Sequence, residues 1–394
     1  MRIGLFLEDL AVELGGGFVI QDDIFAAFLE LADSSRHSFV VFGAEGQAEA
    51  KGGRSPARVE YRSFLGPFSS RALDALRRRI SRRRGVVAAN RLEQLARSEE
   101  VDLVWFVGNQ GVPIDIPYIS IVLDLQHRLQ PWFPEVSAGG VWAHRERFHA
   151  EFLRRAARVI VGTAAGRDEV ERFYGVPCEN IRILPHPVPR VDAGAFHPPV
   201  LDIHGLAKGY LLYPAQLWPH KNHATLLLAL SQLRDAGDHV PHLVLTGSDK
   251  GNGSYLREMV RSLRLQDRVH FLGFVPREQL IELYRHALAL VYPSFFGPEN
   301  LPPLEAFALG CPVIAADVAG AREQLGEAAI LVDPCRPEEF AAAVRRLVDD
   351  HELRPALVAR GRARADRWTA RDFVKGVFEM IDEFEPIRRS WGQE

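Results

Sequence analysis

The sequence of 394 residues contains only three cysteines, at positions 178, 311 and 335. Their spacing does not match a metal-binding pattern, and an odd number of widely separated cysteines argues against a framework of disulfides. Disulfide-stapled proteins are typical of oxidising compartments. We therefore expect this protein to work in a reducing, cytoplasmic setting.

Long apolar runs and an excess of one charge are also absent from the sequence. No stretch approaches the roughly 18 apolar residues of a membrane-spanning helix, and the first ten residues resemble a strand rather than a signal peptide. The formal net charge is −3, so we predict no nucleic-acid partner. There is no Asp-x-Asp and no metal-ligand spacing of His, Cys and carboxylates, so the sequence implies neither a metal nor a cofactor.

Short apolar runs alternate with helical patterns along the whole chain, which is typical of buried parallel strands. We predict two doubly wound α/β sheets, joined by the proline-rich stretch around 185–199. The predicted domains are 1–190 and 200–370, with a helical segment at 371–394 that we expect to pack back on the first domain. The apolar runs lie at 3–7, 39–42, 103–107, 119–123, 159–161, 210–213, 242–245, 269–272, 289–292, 313–315 and 330–332.

Two segments carry groups suited to binding phosphate. Three glycines at 15–17 precede a helical pattern that starts near Gln21, and the N–H groups of such a helix start can meet an anion. The stretch QLWPHKNH at 216–223 places Lys221 directly before a second helix, with Asn222 as its expected N-cap. Taken singly, the glycine run is more often a flexible turn, and an ordinary surface lysine is the alternative for Lys221.

A third segment, YPSFFGPENLPPLEAF at 292–307, leaves a buried strand, passes through a rigid loop and enters a helix. Glu305 lies in the first turns of that helix. A carboxylate beside a phosphate-binding loop can accept hydrogen bonds from the hydroxyl groups of a ribose. The alternative is that Glu305 only balances the helix dipole.

These three motifs, in this order, resemble those of family 4 glycosyltransferases, which are retaining enzymes of the GT-B fold. The loop FGP-x-NLPPLEA resembles a variant of the donor loop of that family. The resemblance covers nearly the whole chain and implies two Rossmann-like domains facing a central cleft. It also implies transfer of a hexose, with mannose the best guess, from a GDP- or UDP-linked nucleotide sugar. The acceptor would be a glycan or a lipid-linked glycan in surface polysaccharide synthesis, at the cytoplasmic face of a membrane or in the cytoplasm.

The resemblance implies that Lys221 binds the diphosphate of the donor and that Glu305 binds the hydroxyl groups of its ribose. The backbone around Asn300 and Leu301 would meet phosphate and sugar, and the early glycines would approach the phosphate from the other domain. The donor-binding residues that it implies are Gly16, Gly17, Gln216, Lys221, Glu299, Asn300, Leu301 and Glu305.

The sequence departs from the commoner family pattern at two positions. Gln216 stands where many members have an arginine, so it supplies hydrogen bonds but no charge. Gly297 stands where many have a first glutamate that contacts the transferred sugar. Glu299 lies nearby but out of register, which leaves its role open.

The stretch IVLDLQH at 121–127 resembles the Asp-Leu-Gln-His loop of the same family. It adds Asp124 and His127 to Lys221 and Glu305 as candidate catalytic residues, although Leu123 replaces a histidine that many members have. For His127, a structural histidine is an equally good interpretation. No carboxylate pair in these motifs suggests a double-displacement nucleophile, so the resemblance favours departure of the diphosphate and attack of the acceptor on the same face.

Two other classes of protein use the same phosphate loops. A nucleotide-sugar epimerase of the GT-B fold needs acid and base carboxylates beside the sugar, and the carboxylates here do not follow that pattern. A non-catalytic nucleotide-sugar scaffold should have lost the charged donor contacts, whereas Lys221 and Glu305 are both present.

The stretch RALDALRRRISRRR at 71–84 holds seven arginines and one acidic residue. Its apolar residues fall at helical spacing, and a basic amphipathic helix can lie on anionic lipid headgroups. A solvated face, or a grip on a phosphorylated acceptor, are the alternatives. The predicted membrane or acceptor patch consists of Arg77, Arg78, Arg79, Arg82, Arg83 and Arg84.

Overall fold

The computed structural model describes residues 1–8, 16–43, 56–64, 91–190, 201 and 204–391, with the backbone alone at 16–19. The arginine patch at 77–84 lies outside the described residues. The chain forms two compact units, the first made of Met1–Leu125, Ala143–Pro187 and Thr369–Glu394, the second of Gln126–Trp142 and Val188–Trp368. None of the described helices is long and apolar enough to cross a membrane.

The first unit is built on a seven-stranded sheet. Its strands are β1 Arg2–Phe6, β2 Ser38–Gly43, β3 Val59–Ser63, β4 Leu103–Phe106, β5 Tyr118–Val122, β6 Arg158–Val161 and β7 Ile181–Ile183. Their order is β3-β2-β1-β4-β5-β6-β7, and every pair is parallel. The residues of β4 and β5 are all buried, as expected for strands covered on both faces.

The second unit contains a six-stranded parallel sheet. Its strands are β8 Leu211–Pro214, β9 Leu243–Thr246, β10 Val269–Gly273, β11 Ala289–Tyr292, β12 Val313–Ala316 and β13 Ala329–Val332. Their order is β10-β9-β8-β11-β12-β13. One continuous apolar core runs through this unit.

Helices connect the strands in both units. They are α1 Gly16–Leu31, α2 Gln126–Leu129, α3 Pro134–Ser137, α4 Val141–Arg155, α5 Ala164–Tyr174, α6 His223–Asp235, α7 Gly253–Ser262, α8 Arg277–His286, α9 Leu301–Leu309, α10 Ala321–Leu325, α11 Pro337–Asp349, α12 Leu353–Ala365 and α13 Ala370–Arg389. Residues 91–98 are also helical. A 3-10 turn, Pro219–Lys221, precedes α6.

The C-terminal helix α13 belongs to the first unit and packs against α1. A capping box between Thr369 and Asp372 fixes its start. The ring of Phe378 stacks on that of Phe39 in β2, with centroids 5.5 Å apart. The domain limits inferred from the sequence remain a prediction, because residues 126–142 group with the second unit.

The predicted fold class, two doubly wound α/β sheets, is confirmed. Each of the predicted apolar runs forms a strand, but β3 and β7 were missed at the two edges of the first sheet. The strand β3 has the half-exposed sequence VEYRS, and β7 has only three residues. The predicted start of α1 near Gln21 is wrong, because the helix already begins at Gly16.

Candidate functional site

The second sheet reverses its strand order between β8 and β11. Ligands of open parallel sheets bind beyond the carboxyl ends of the strands at such a reversal, because the two following loops diverge there. The chain after β8 is the turn that carries Lys221, and the chain after β11 is the loop that carries Asn300. Two motifs that are distant in sequence thus flank one position in the fold.

A tyrosine joins these two motifs. The ammonium group of Lys221 donates to the hydroxyl of Tyr292 at 3.0 Å, and that hydroxyl donates to Oδ1 of Asn300, also at 3.0 Å. The Lys221 Nζ lies 5.3 Å from the centroid of the Tyr292 ring. Tyr292 is only 4% exposed. It opens the third motif, yet its sequence context gave no sign of this linking role.

The loop after β11 has no room for a side chain at Gly297. This residue has φ +140°, and a Cβ atom there would lie 2.4 Å from the side chain of Asn300. The Asn300 amide donates to the Gly297 carbonyl at 3.0 Å. Gln324 holds Asn300 from the other side, through two hydrogen bonds of 3.0 Å to its backbone. A glutamate at this position would be strained by the positive φ and would have to displace the Asn300 side chain.

Glu305 lies on α9, where its side chain is 12% exposed and has two partners. Tyr284 donates its hydroxyl to Oε2 at 2.9 Å, and Arg277 donates from Nη1 to Oε1 at 3.3 Å. Burial raises the pKa of Glu305, and the charge of Arg277 together with both hydrogen bonds opposes that rise. Neither partner lies in the motifs, so the sequence gave no signal for either.

Gln216 and Asn222 shape the turn after β8. The Oε1 atom of Gln216 accepts a hydrogen bond from the Trp218 indole at 2.8 Å. Asn222 is the N-cap residue of α6, as predicted, but its side chain makes no capping hydrogen bond to the helix backbone. Its amide instead donates to the carbonyls of Pro293 and Pro334 at 3.0 and 2.8 Å, which ties the turn to two neighbouring loops.

The structure assigns the two candidates from the Asp-Leu-Gln-His stretch to different units. Asp124 belongs to the first, where Arg145 donates to its Oδ1 at 2.5 Å. His127 is buried in α2, and its carbonyl accepts a 2.7 Å hydrogen bond from the Trp142 indole. Their catalytic roles remain predictions, as do the roles of Glu299, which is half-buried, and of Leu301, which opens α9.

The first sheet reverses its order between β1 and β4, where Gly16 and Gly17 form the start of α1. Glu8 follows β1 and is buried, with the Gln110 N–H donating to its Oε1 at 2.7 Å. A Cβ atom on Gly108 would lie 2.0 Å from that oxygen. Burial raises the pKa of Glu8 to about 7.

A small cavity adjoins Glu8, with space for about one water molecule (about 20 Å³). It is lined in part by Asn109, Leu123 and His186. Burial lowers the pKa of His186 to about 4, so this histidine is neutral near pH 7. The small cavity is therefore lined by Glu8, a carboxylate with a raised pKa, and by His186, a neutral imidazole.

Within the described residues, one group has ligand atoms close enough together to hold a metal ion, namely His37, Asp382 and Glu385. Arg36 lies 2.9 Å from Asp382 and 2.7 Å from Glu385, and Arg389 lies 2.6 Å from Glu385. Because these carboxylates already have cationic partners, we assign no metal to the group.

The second unit resembles a known family in sequence. Residues 204–364, most of the second unit, match the family model of glycosyl transferases group 1. The O-antigen chain mannosyltransferase B of Escherichia coli is 30% identical over 232 residues, which is 57% of this chain and 60% of that protein. A D-inositol 3-phosphate glycosyltransferase of Acidothermus cellulolyticus is 29% identical over 259 residues, 61% of this chain and 56% of the relative.

Solved structures resemble the chain over both units. HepE of Anabaena, in complex with UDP and glucose, has a TM-score of 0.68 at 19% identity, covering 97% of this chain and all of HepE (100%). Sucrose-phosphate synthase of Thermosynechococcus elongatus has a TM-score of 0.70 at 19% identity, covering 98% and 99%. The fold is therefore that of the GT-B glycosyltransferases. By sequence, the chain spans little more than half the length of the curated relatives that it matches.

The tyrosine link predicts a measurable stability loss. Replacing Tyr292 by Phe removes the hydroxyl that both accepts from Lys221 and donates to Asn300, so we expect the variant to lose about 1–3 kcal/mol of unfolding free energy. Urea unfolding of the second unit measures this. Tyr255→Phe, the same change at a residue that is 57% exposed, is the control and should change stability by less than about 0.5 kcal/mol. Equal effects of the two changes would contradict the link.

The raised pKa of Glu8 predicts a pH-dependent effect of Glu8→Gln. When folding raises the pKa of a carboxyl group, the group stabilises the folded protein at pH values below its pKa in the unfolded chain. This contribution is lost as the pH rises through its pKa in the folded protein. For Glu8 that window runs from the ordinary 4.5 to about 7.

The variant should match the wild type at pH 4.5 and exceed it at pH 8 by at most about 3 kcal/mol. Thermal unfolding at both pH values measures the difference, with the exposed Glu352→Gln as the matched control. If the stability difference between the variant and the wild type does not change with pH, the pKa of the Glu8 carboxyl is not raised by folding.

Proposed function

We propose that the protein is a retaining hexosyltransferase that moves a mannose-like sugar from a UDP- or GDP-linked donor to a glycan or lipid-linked glycan of a surface polysaccharide. The observation that carries this proposal is the link from Lys221 through Tyr292 to Asn300 at the reversal of the second sheet. The O-antigen mannosyltransferase relative supports the sugar and the acceptor, and the UDP in the HepE structure supports a nucleotide donor.

The site would act mainly on the leaving group. The bond from sugar C1 to the diphosphate oxygen breaks, and the acceptor oxygen bonds to C1 on the same face. The acceptor proton passes to an oxygen of the departing diphosphate. Lys221 and the Leu301 N–H at the start of α9 would stabilise the charge that develops on the diphosphate, because fixed charges and dipoles need no reorganisation during the reaction. Pro302 and Pro303, the next two residues of this helix, carry no N–H.

The remaining predicted residues take the roles implied by the family resemblance. Glu305 would accept hydrogen bonds from the ribose, Gln216 would donate to phosphate, and Glu299 would lie near the transferred sugar. Gly16 and Gly17 would approach the phosphate from the first unit. Asp124 and His127 would face the sugar and the acceptor, and the arginines at 77–84 would hold an anionic membrane surface or a phosphorylated acceptor.

Nucleotide binding tests the donor half of this proposal. We expect one of UDP, GDP, dTDP and ADP to raise the melting temperature, since a ligand at 100 times its Kd adds about 2.7 kcal/mol of stability. Lys221→Ala should lose most of that gain because the diphosphate loses its cationic partner. Lys375→Ala, on the exposed face of α13, is the control. No stabilisation by any of the four nucleotides would leave a scaffold without donor binding as the better assignment.

The stereochemistry of the product tests the retaining mechanism. With an α-linked donor, same-face attack gives an α-linked product, which the one-bond coupling between C1 and H1 of the transferred sugar reports by NMR. Glu305→Gln should keep this stereochemistry but raise KM for the donor about tenfold, as expected for loss of a charge-assisted hydrogen bond. A β-linked product would rule out retention, and an unchanged KM would remove Glu305 from the donor site.

A further inference from the structure

The segment 126–142 connects β5 to α4, yet it packs within the second unit. Its short helix α3 carries Glu135, whose Oε1 accepts a hydrogen bond from the His220 backbone N–H at 3.1 Å. The same oxygen is hydrogen-bonded to the His220 ring at Nδ1. The side chains of Glu135 and His220 are only 7% and 11% exposed. A buried carboxylate therefore binds the residue that directly precedes Lys221.

The same segment also holds the loop after β11. The Gln130 amide donates to the Phe295 carbonyl at 2.9 Å, and the Phe133 ring stacks on the Phe295 ring with centroids 6.0 Å apart. The Phe295 N–H in turn donates to the His220 carbonyl at 2.9 Å. Both chain segments of the candidate site are thus fixed by residues 130–135.

Glu135 satisfies a need that an apolar side chain could not meet. In the 3-10 turn Pro219–Lys221 the first residue has no N–H, and the His220 N–H donates to Glu135 rather than within the turn. Burying a carboxylate beside an imidazole adds little net stability, and apolar residues of similar size often pack as well. The Glu135 carboxylate instead fixes the orientation of the 3-10 turn through its hydrogen bonds to His220.

We propose that Glu135 is a positioning residue for donor binding: it orients His220 and, through the 3-10 turn, places the Lys221 ammonium for the diphosphate. This inference rests on the proposed function, since it takes Lys221 as the residue that binds the diphosphate. It assigns part of the donor site to a segment that lies outside all three donor motifs.

The test compares Kd values for the nucleoside diphosphate that binds the wild type best among UDP, GDP, dTDP and ADP, and for the corresponding nucleoside monophosphate. We expect Glu135→Ala to raise the Kd of the diphosphate about tenfold and that of the monophosphate by less than about twofold. In a Lys221→Ala background, Glu135→Ala should have no further effect on the diphosphate, because the two residues act through one contact.

Two further variants separate positioning from folding. His220→Asn retains a side-chain donor close to the position of Nδ1 and should keep the diphosphate Kd within about threefold of the wild type. Ser137→Ala, an exposed change in the same segment, is the matched control and should leave both Kd values unchanged. If Glu135→Ala does not fold, Glu135→Met keeps the length of the side chain without the acceptor oxygen and should show the same selective weakening.

An unchanged diphosphate Kd in the Glu135 variants, or an equal rise for the monophosphate, would overturn the positioning role while leaving the proposed function intact. Additive effects of Glu135→Ala and Lys221→Ala would also overturn it. If the wild type binds none of the four diphosphates, the proposed function and this inference fail together.

Discussion

The reversal of strand order between β8 and β11 is the constraint on which the candidate site depends. In a parallel sheet all strands end at one edge, and at a reversal the chain leaves two neighbouring strands in opposite directions. This is how Lys221 and Tyr292, which are 71 residues apart, come to share a hydrogen bond. Every other contact of the site, from Asn222 on Pro293 to Asn300 on Gln324, strengthens an arrangement that the sheet topology already imposes.

The sequence was sufficient for the sheets because their central strands are continuous apolar runs, and it failed at the edges because burial there is incomplete. Val59–Ser63 has one buried residue in five, and Ile181–Ile183 is too short for any period to show. The early start of α1 has a similar cause. Glycine is a poor helix former, so local propensity gave no reason to place Gly16 and Gly17 inside the helix.

The motifs located the site but could not supply its internal contacts. Lys221, Asn300 and Glu305 were named from the sequence, whereas Arg277 and Glu135 lie 28 and 85 residues from the residues they bind. Such pairs depend on which loops the topology brings together, and a single sequence holds no record of that. The glycine at 297 shows the converse: the sequence revealed a departure from the family pattern, and the structure gives its physical reason in the position of Asn300.

The environment of Glu305 decides how this residue can act. Burial alone would favour the protonated acid, which donates a hydrogen bond, whereas the guanidinium of Arg277 favours the ionised form, which only accepts. A carboxylate has about four acceptor positions, and Tyr284 and Arg277 occupy one each. Two positions then remain, which is the number that the proposed contact with two neighbouring ribose hydroxyls needs. An uncharged side chain such as glutamine would bring an N–H₂ group to the same place and would offer only one oxygen. The net pKa shift of Glu305 is upward, and the charge of Arg277 opposes the protonation that burial favours, which supports the acceptor-only form.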